Sequence, residues 1–253
     1  MGITPVILTH NEELNIVSSL ASLRTFPRVV VLDSGSTDRT EEISRSFGNV
    51  SWFQRKFDSH QQQWQFAVTQ TNISSEFVLA LDADMRVTEA LRQELTQFVQ
   101  ERHFMGGWVS FEYWVFGRRL MGSIYPPQIR VFRPASVRID QLGHTQVFHS
   151  NDPLCRFRGR LIHEDRKPLD RWMSSQFRYA SLEFDRLRSS TKRTLKDNLR
   201  IWGLSPAIWS MYSYIRAGGL LNPRAARAYA YERLIFEAIL ARMLAESAES
   251  NKK

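Results

Sequence analysis

The chain has 253 residues, 43% of them hydrophobic, which suits one large folded domain or a domain with an extension and excludes a disordered chain. Its one cysteine, Cys155, excludes an internal disulfide framework and fits a reducing compartment; no apolar run is long enough to span a bilayer, and the N-terminus reads as lacking a signal peptide. The net charge of +8 is one-sided: residues 1–154 hold 14 Lys and Arg against 16 Asp and Glu, whereas residues 155–253 hold 20 against 10. Such a basic part attracts phosphate on nucleic acid, on an anionic membrane or on a charged substrate, or it is a solvated surface with no specific partner.

The spacing predicts a short strand over 5–8, then a polar turn, Thr9-His10-Asn11-Glu12-Glu13. Asn11 or Thr9 is placed to cap a helix running to about Leu23, with Ile16, Leu20 and Leu23 on its apolar face. A Val-rich strand over 28–32 closes on Asp33, and the tight turn Ser34-Gly35-Ser36-Thr37-Asp38 leads into a helix over 39–47, with Asp38 and Glu41 as a capping pair. A third strand is predicted over 50–54 and a helix over 61–71. Next comes a buried strand, Phe77-Val78-Leu79-Ala80-Leu81, and then Asp82-Ala83-Asp84. Thr88 caps a helix to about Gln100. Alternating strands and helices imply a parallel sheet with right-handed crossovers.

In an extended backbone Asp82 and Asp84 point to the same side, so both carboxylates reach one point beyond the strand end, where open α/β sheets bind ligands. Two like charges there call for a cation, a proton or an arginine, and a hard divalent ion that also grips a diphosphate fits best. The plainer alternative is an Asp-rich turn.

From Gly106 the chain reads as mixed or antiparallel strands and long loops, with aromatic residues over 108–114, alternating apolar and basic residues over 129–133, and breaks at Pro126-Pro127 and Pro134. From about Leu169 it reads as helical: Ser205-Pro206 starts a helix, Gly218-Gly219 stops it and Asn222-Pro223 starts another, with Tyr231, Leu234, Ile235 and Ala238 at apolar spacing. Trp209, Tyr212 and Tyr214, with Arg216, suit either a membrane interface or a packed core.

Four pieces in this order resemble the family 2 glycosyltransferases of the GT-A fold: Ile7-Leu8-Thr9-His10-Asn11-Glu12, Val31-Leu32-Asp33-Ser34-Gly35-Ser36-Thr37-Asp38, residues 63–67 and Leu81-Asp82-Ala83-Asp84. Over the whole chain the resemblance is to the branch of lipopolysaccharide-core β-glucosyltransferases, whose third motif is His-Glu; here it is His163-Glu164-Asp165, and the helical tail is also similar. The resemblance implies an α/β, Rossmann-like GT-A domain over 1–168 with a mixed, mostly parallel sheet. Its nucleotide-sugar half is 1–104, its acceptor half is 105–168, and a helical extension covers 169–253.

It also implies an inverting transfer from a nucleotide-sugar, a UDP-sugar first, to a glycan or lipid-linked acceptor in the synthesis of lipopolysaccharide or another cell-surface polysaccharide. Thr9, Asn11, Glu12, Asp33, Ser36, Gln63, Gln65, Asp82, Ala83 and Asp84 become donor-binding positions, with Gln65 standing where Asn is usual in the family. Asp33 is placed to accept a hydrogen bond from the N–H of a uracil ring. Asp82, Asp84 and His163 become ligands of Mn²⁺ or Mg²⁺, which neutralises the leaving diphosphate. His163 alternatively contacts phosphate or is structural. The base that deprotonates the acceptor is Glu164 by the His-Glu branch, or Asp165 by the wider family's Glu-Asp motif. Arg130 and Arg133 face the diphosphate or are solvated, while His144 and His149 lack metal-site spacing. The branch places the enzyme in the cytoplasm, in peripheral contact with the inner face of the cell membrane.

Two other classes compete. A sugar-phosphate nucleotidyltransferase needs a Gly-rich, Arg-containing loop after its first strand, and Thr9-His10-Asn11-Glu12-Glu13 has neither. A nucleic-acid-binding protein would show a helix-turn-helix, zinc or RNA-binding signature beside the basic charge, and none is present, so nucleic acid is not among the expected partners.

Overall fold

The computed structural model of the chain describes residues 2–101, 103–142, 145–190 and 192–250, which leaves His144 outside the described residues. The chain divides into two compact units: Met1–Glu112, Tyr125–Gln141 and Gln146–Arg166 form the first, and Tyr113–Ile124, Leu142–Thr145 and Lys167–Lys253 the second.

In chain order the elements of the first unit begin β1 (Ile3–Thr9), α1 (Ile16–Ser22), β2 (Val29–Asp33), α2 (Thr40–Arg45), β3 (Val50–Gln54), α3 (His60–Gln70) and β4 (Phe77–Asp82). A turn at Ala83 and Asp84 leads into β5 (Met85–Val87), then α4 (Glu89–Glu101) and β6 (Gly106–Val115). β7 (Arg118–Arg119) pairs with the end of β6, and β8 (Gln128–Phe132), β9 (Arg138–Leu142), β10 (Thr145–His149) and β11 (Leu154–His163) follow.

The sheet order is β3-β2-β1-β4-β8-β6-β11-β5, with β9 and β10 as a separate two-stranded ribbon. β3, β2, β1 and β4 run parallel; from β4 to β8 to β6, and from β11 to β5, the pairing is antiparallel. Pattern explains why β1, β2 and β4 are buried on both faces. Phe77, Leu79 and Leu81 of β4 pack on one face with Ile3, Ile7, Val29, Val31 and the apolar sides of α1 and α4. Val78 and Ala80 pack on the other with Val6, Val30, Leu32 and Trp64 and Ala67 of α3. Every residue of such a strand is buried, which is why the run is apolar throughout rather than alternating.

Local signals set the helix starts. The Thr88 hydroxyl accepts the Leu91 N–H, and the Ser59 side chain accepts the Gln62 N–H at the start of α3. The start of α1 differs from expectation: Asn15 occupies the cap position, because Thr9 and Asn11 are engaged elsewhere. Asp38 caps α2 through the Thr40 N–H, and Glu41 pairs with Arg45 instead of closing a capping box.

The second unit contains α5 (Leu169–Ser189), α6 (Leu195–Ile201), α7 (Ser205–Arg216), a 3-10 turn at Gly219–Leu221 and α8 (Pro223–Ser250). Gly218, with φ of 113°, ends α7; a Cβ there would stand 2.7 Å from the Met121 sulfur. One apolar cluster joins Val115, Leu120, Ala217, Ala225, Ala226 and Tyr229, and another joins Ala180, Leu187, Phe236 and Leu240. A buried ion network ties the helices: Arg200 bonds Glu183 and Glu237, and Arg186 bonds Glu183 and Asp197. Burial pushes the Asp197 carboxyl up, but the Thr194 N–H and the Arg186 guanidinium outweigh it and bring its pKa down to about 2. Of the three tail aromatics, Tyr214 packs in the first cluster, Trp209 lies under the Lys196 ammonium and Tyr212 is exposed. Among the described residues no helix is long and apolar enough to cross a membrane.

Candidate active site

The parallel register brings three strand ends to one level. Thr9 stands opposite Asp33, and Leu8 opposite both Leu32 and Asp82. Asp33 is fully buried and organises the loop after β2. Its Oδ2 accepts the N–H groups of Gly35 and Ser36 at 2.8 and 2.7 Å, and its Oδ1 accepts the hydroxyls of Thr9, at 3.0 Å, and Ser36. Four near donors fill a carboxylate's lone pairs, so the acceptor expected for a uracil N–H is already occupied. Asn11, at φ 56°, fastens the same loop: its N–H donates to the Ser36 hydroxyl and its Oδ1 accepts the Thr37 N–H, both at 2.8 Å. The Glu12 N–H reaches the Thr40 hydroxyl. Buried Gln63 donates to Ser34 and to the Arg55 carbonyl and accepts from the Arg55 guanidinium. Gln65 lies on an exposed part of α3, about 200° around the helix from Gln63.

The two carboxylates of Asp82-Ala83-Asp84 do not sit on one extended strand, because the chain turns at Ala83 and Asp84. Each has its own partner. Asp82, partly exposed, accepts from Arg130 at 3.3 Å, and Arg130 is buried against Gln128 and the Phe111 ring. Asp84 is 12% exposed and its Oδ2 lies 3.4 Å from His163 Nε2. Ala83 is buried in the core beneath them. Arg133 lies at the other end of β8, paired with Glu76, so it does not face a diphosphate in this group.

The third motif meets the second through the backbone: the Glu164 N–H donates to the Asp84 carbonyl at 3.0 Å. Glu164 is 7% exposed, and its Oε2 accepts both Arg86, at 2.9 Å, and Arg166, at 2.7 Å. Its Oε1 holds no partner among the described residues. Asp165 is exposed and accepts from Asn15 Nδ2 at 3.1 Å.

Asn15, Arg86 and Arg166 are the residues that the sequence patterns missed. Buried Asn15 bonds Glu12 and Asp165 through Nδ2 and the Arg166 N–H through Oδ1, so one side chain clasps the first and third motifs together. Arg86 stands two residues past Asp84, on a strand of three residues that is too short to show a period. Arg166 follows the third motif directly, and that proximity was its only signal.

Among the described residues no three His, Cys, Asp or Glu side chains form a metal cage. A divalent ion that also binds a diphosphate needs fewer protein ligands, one or two beside the phosphate oxygens. Two neighbouring ligands of such an ion, each about 2.1–2.3 Å from it, lie about 3.0–3.3 Å apart at a right angle. The 3.4 Å between Asp84 Oδ2 and His163 Nε2 lies within about 0.1 Å of that range. His149 instead pairs with Asp140 on the β9–β10 ribbon.

Residues 4–154 match the family model described as Glycosyl transferase family 2. Over 235 residues the chain is 26% identical to the lipopolysaccharide core biosynthesis glycosyltransferase LpsC of Rhizobium meliloti (strain 1021), covering 86% of this chain and 82% of that protein. Crystal structures of S. aureus TarS 1–349 resemble it with TM-scores of 0.52, and 0.55 for the complex with UDP-GlcNAc, at 16% identity, over 99% of this chain and 92% of that one. The likeness to TarS is one of fold, and the family match spans more than half of the 253 residues. The mixed α/β sheet with its helices is a GT-A fold, and the chain belongs to the family 2 glycosyltransferases.

Proposed function

We propose that the enzyme transfers a sugar from a UDP-sugar to a hydroxyl of a glycan or lipid-linked acceptor, with inversion and with the help of a divalent cation, in building lipopolysaccharide or another cell-surface polysaccharide. The observation that carries this is the anchoring of Glu164. Two arginines fix one of its oxygens, its N–H is tied to Asp84, and Oε1 is left to receive a proton. A relative that acts in lipopolysaccharide core synthesis and a fold neighbour crystallised with UDP-GlcNAc support the substrate class.

In one displacement the acceptor oxygen bonds to the anomeric carbon, the bond from that carbon to the diphosphate breaks, and the acceptor proton passes to Glu164 Oε1. Bound Mn²⁺ or Mg²⁺ supplies charge neutralisation at the departing diphosphate; Asp84 and His163 are the residues to hold it, with Asp82 beside them. The loop ordered by Asp33, Asn11 and Ser36 holds the nucleoside. A uracil N–H reaches Asp33 when the Ser36 side chain swings to another rotamer and uncovers Oδ1.

A screen of UDP-, GDP- and dTDP-sugars for protection against thermal unfolding, with and without Mn²⁺, tests the donor. A ligand at a hundred times its Kd stabilises by about 2.7 kcal/mol. UDP-sugars with metal should give the largest shift. A shift with GDP- or dTDP-sugars alone refutes the nucleotide, and no shift with any refutes donor binding.

The same proposal includes a peripheral contact with anionic lipid at the cytoplasmic face of the cell membrane. Leu204, Ile208, Met211 and Ile215 recur at helical spacing along α7 and are all exposed, and Leu220 and Leu221, just beyond, are more than 80% exposed. No Asp or Glu occurs between Asp197 and Glu232, and the exposed arginines of that stretch are Arg216, Arg224 and Arg227. An apolar stripe among arginines with no carboxylate complements an anionic leaflet. Binding to phosphatidylglycerol vesicles should weaken but persist as salt rises, and drop in Ile208→Ser/Met211→Ser/Ile215→Ser. No binding at low salt, or a dimer that the variant dissolves, rules the lipid contact out.

A further inference from the structure

One row of charge plays no part in the mechanism above. On β11, Arg156, Arg158 and Arg160 alternate with Phe157, Gly159 and Leu161. Phe157 and Leu161 belong to the core, so the arginines occupy the opposite, exposed face, about 6–7 Å apart along the strand. Arg156 lies over the Trp108 ring. Arg158 and Arg160 have no ion pair or side-chain hydrogen bond among the described residues. Protecting a strand edge does not explain them, since the backbone N–H groups of Arg158 and Gly159 are already taken by Glu94.

The row leads to the candidate base. Across the β5–β11 pair Ile162 stands opposite Arg86, and residues directly opposite share a face. The same face therefore carries Arg156, Arg158, Arg160 and then Arg86, whose guanidinium bonds Glu164. From Arg160 to Glu164 the chain advances about 13 Å, a distance spanned by a short oligosaccharide.

We propose that this row binds an anionic acceptor, an oligosaccharide bearing phosphate or carboxylate groups laid along β11 with its accepting hydroxyl at Glu164. Guanidinium forks engage both groups in paired hydrogen bonds. The placement of the hydroxyl rests on the role of Glu164 given above; binding along Arg158 and Arg160 does not depend on turnover and is measured without it.

The test is fluorescence anisotropy on the full chain with labelled mannopentaose phosphate, tetragalacturonate and neutral mannopentaose, at low and at near-physiological salt. Both anionic probes should bind if the row reads charge, or one of them if it reads that group alone, and the neutral probe should not. Arg158→Gln/Arg160→Gln should weaken the anionic probe by at least about tenfold while UDP affinity stays unchanged. Lys192→Gln/Arg193→Gln, at two exposed positions between α5 and α6, removes equal charge elsewhere and should leave binding intact. Equal binding of the neutral probe, undiminished binding by the β11 variant, or an equal loss in the Lys192/Arg193 variant overturns the proposal. So does full-strength competition by a single-stranded DNA oligonucleotide, which marks a diffuse polyanion surface.

Discussion

Replacing Glu164 by Gln separates its chemistry from its packing. The buried carboxylate receives two guanidinium hydrogen bonds on Oε2. An amide oxygen in the same place keeps both donors but loses the charge. Charge-assisted bonds contribute about 1.5–3 kcal/mol and neutral ones about 1, so the pair loses a few kcal/mol at most. Arg86 is about a quarter exposed and Arg166 nearly half, and solvent screening brings the expected loss to about 1–2 kcal/mol. Urea unfolding measures that term. Loss of a general base lowers kcat by about 10²–10⁴. Glu164→Gln should therefore fold, bind UDP like the parent and release UDP from the donor-acceptor mixture at least a hundred times more slowly. Asp165→Asn, at an exposed carboxylate that bonds Asn15, should keep most of kcat. The reverse pattern moves the base by one residue. A parallel fall in UDP affinity makes Glu164 a donor-binding group instead.

Asn15→Ala removes a buried side chain that makes three hydrogen bonds, so it should destabilise by about 2–3 kcal/mol and lower kcat more than UDP affinity; restored kcat in Asn15→Gln would confirm a positioning role, and an unchanged kcat in Asn15→Ala would refute it. Asp33→Ala strands the buried N–H groups of Gly35 and Ser36 and should cost about 3 kcal/mol in urea unfolding, whereas Asp33→Asn keeps an oxygen for them, lets the Thr9 and Ser36 hydroxyls rotate and should cost about half as much. Asp197 has its pKa lowered in the folded state to about 2 from an ordinary value near 3.8, so its contribution, about 2 kcal/mol, is full above pH 4 and disappears as pH falls through 2. Asp197→Asn should flatten the dependence of stability on pH between 4 and 2, and an unchanged slope would show that the carboxylate does not carry it.

The parallel half of the fold was legible because β4 is buried on both faces and reads as five apolar residues in a row. The grouping of Thr9, Asp33 and Asp82 was legible because they end adjacent strands. Their hydrogen bonds were not. The spacing of Asp82 and Asp84 implies an extended backbone, and the turn at Ala83 and Asp84 sends the two carboxylates to Arg130 and His163 instead. Asn15 meets Asp165 across 150 positions, a contact that leaves no periodic trace. Arg130 and Arg133 were indistinguishable as alternating basic residues on β8. Only the antiparallel register shows that one meets Asp82 and the other Glu76. In the tail the aromatic Tyr214 is packed, while the exposed stripe is formed by unbranched and aliphatic side chains, Ile208, Met211 and Ile215, which carry no aromatic signal.

We propose a UDP-sugar site completed by a divalent cation at Asp84 and His163, and calorimetric titration of UDP into the full chain, in Mn²⁺ and then in chelator, decides it. The geometry at Asp84 predicts binding that weakens at least about tenfold when the metal is withheld, and an Asp84→Ala protein that gains nothing from Mn²⁺. Equal UDP affinity with and without metal would contradict the role given to these two residues, and no UDP binding in either condition would contradict the donor.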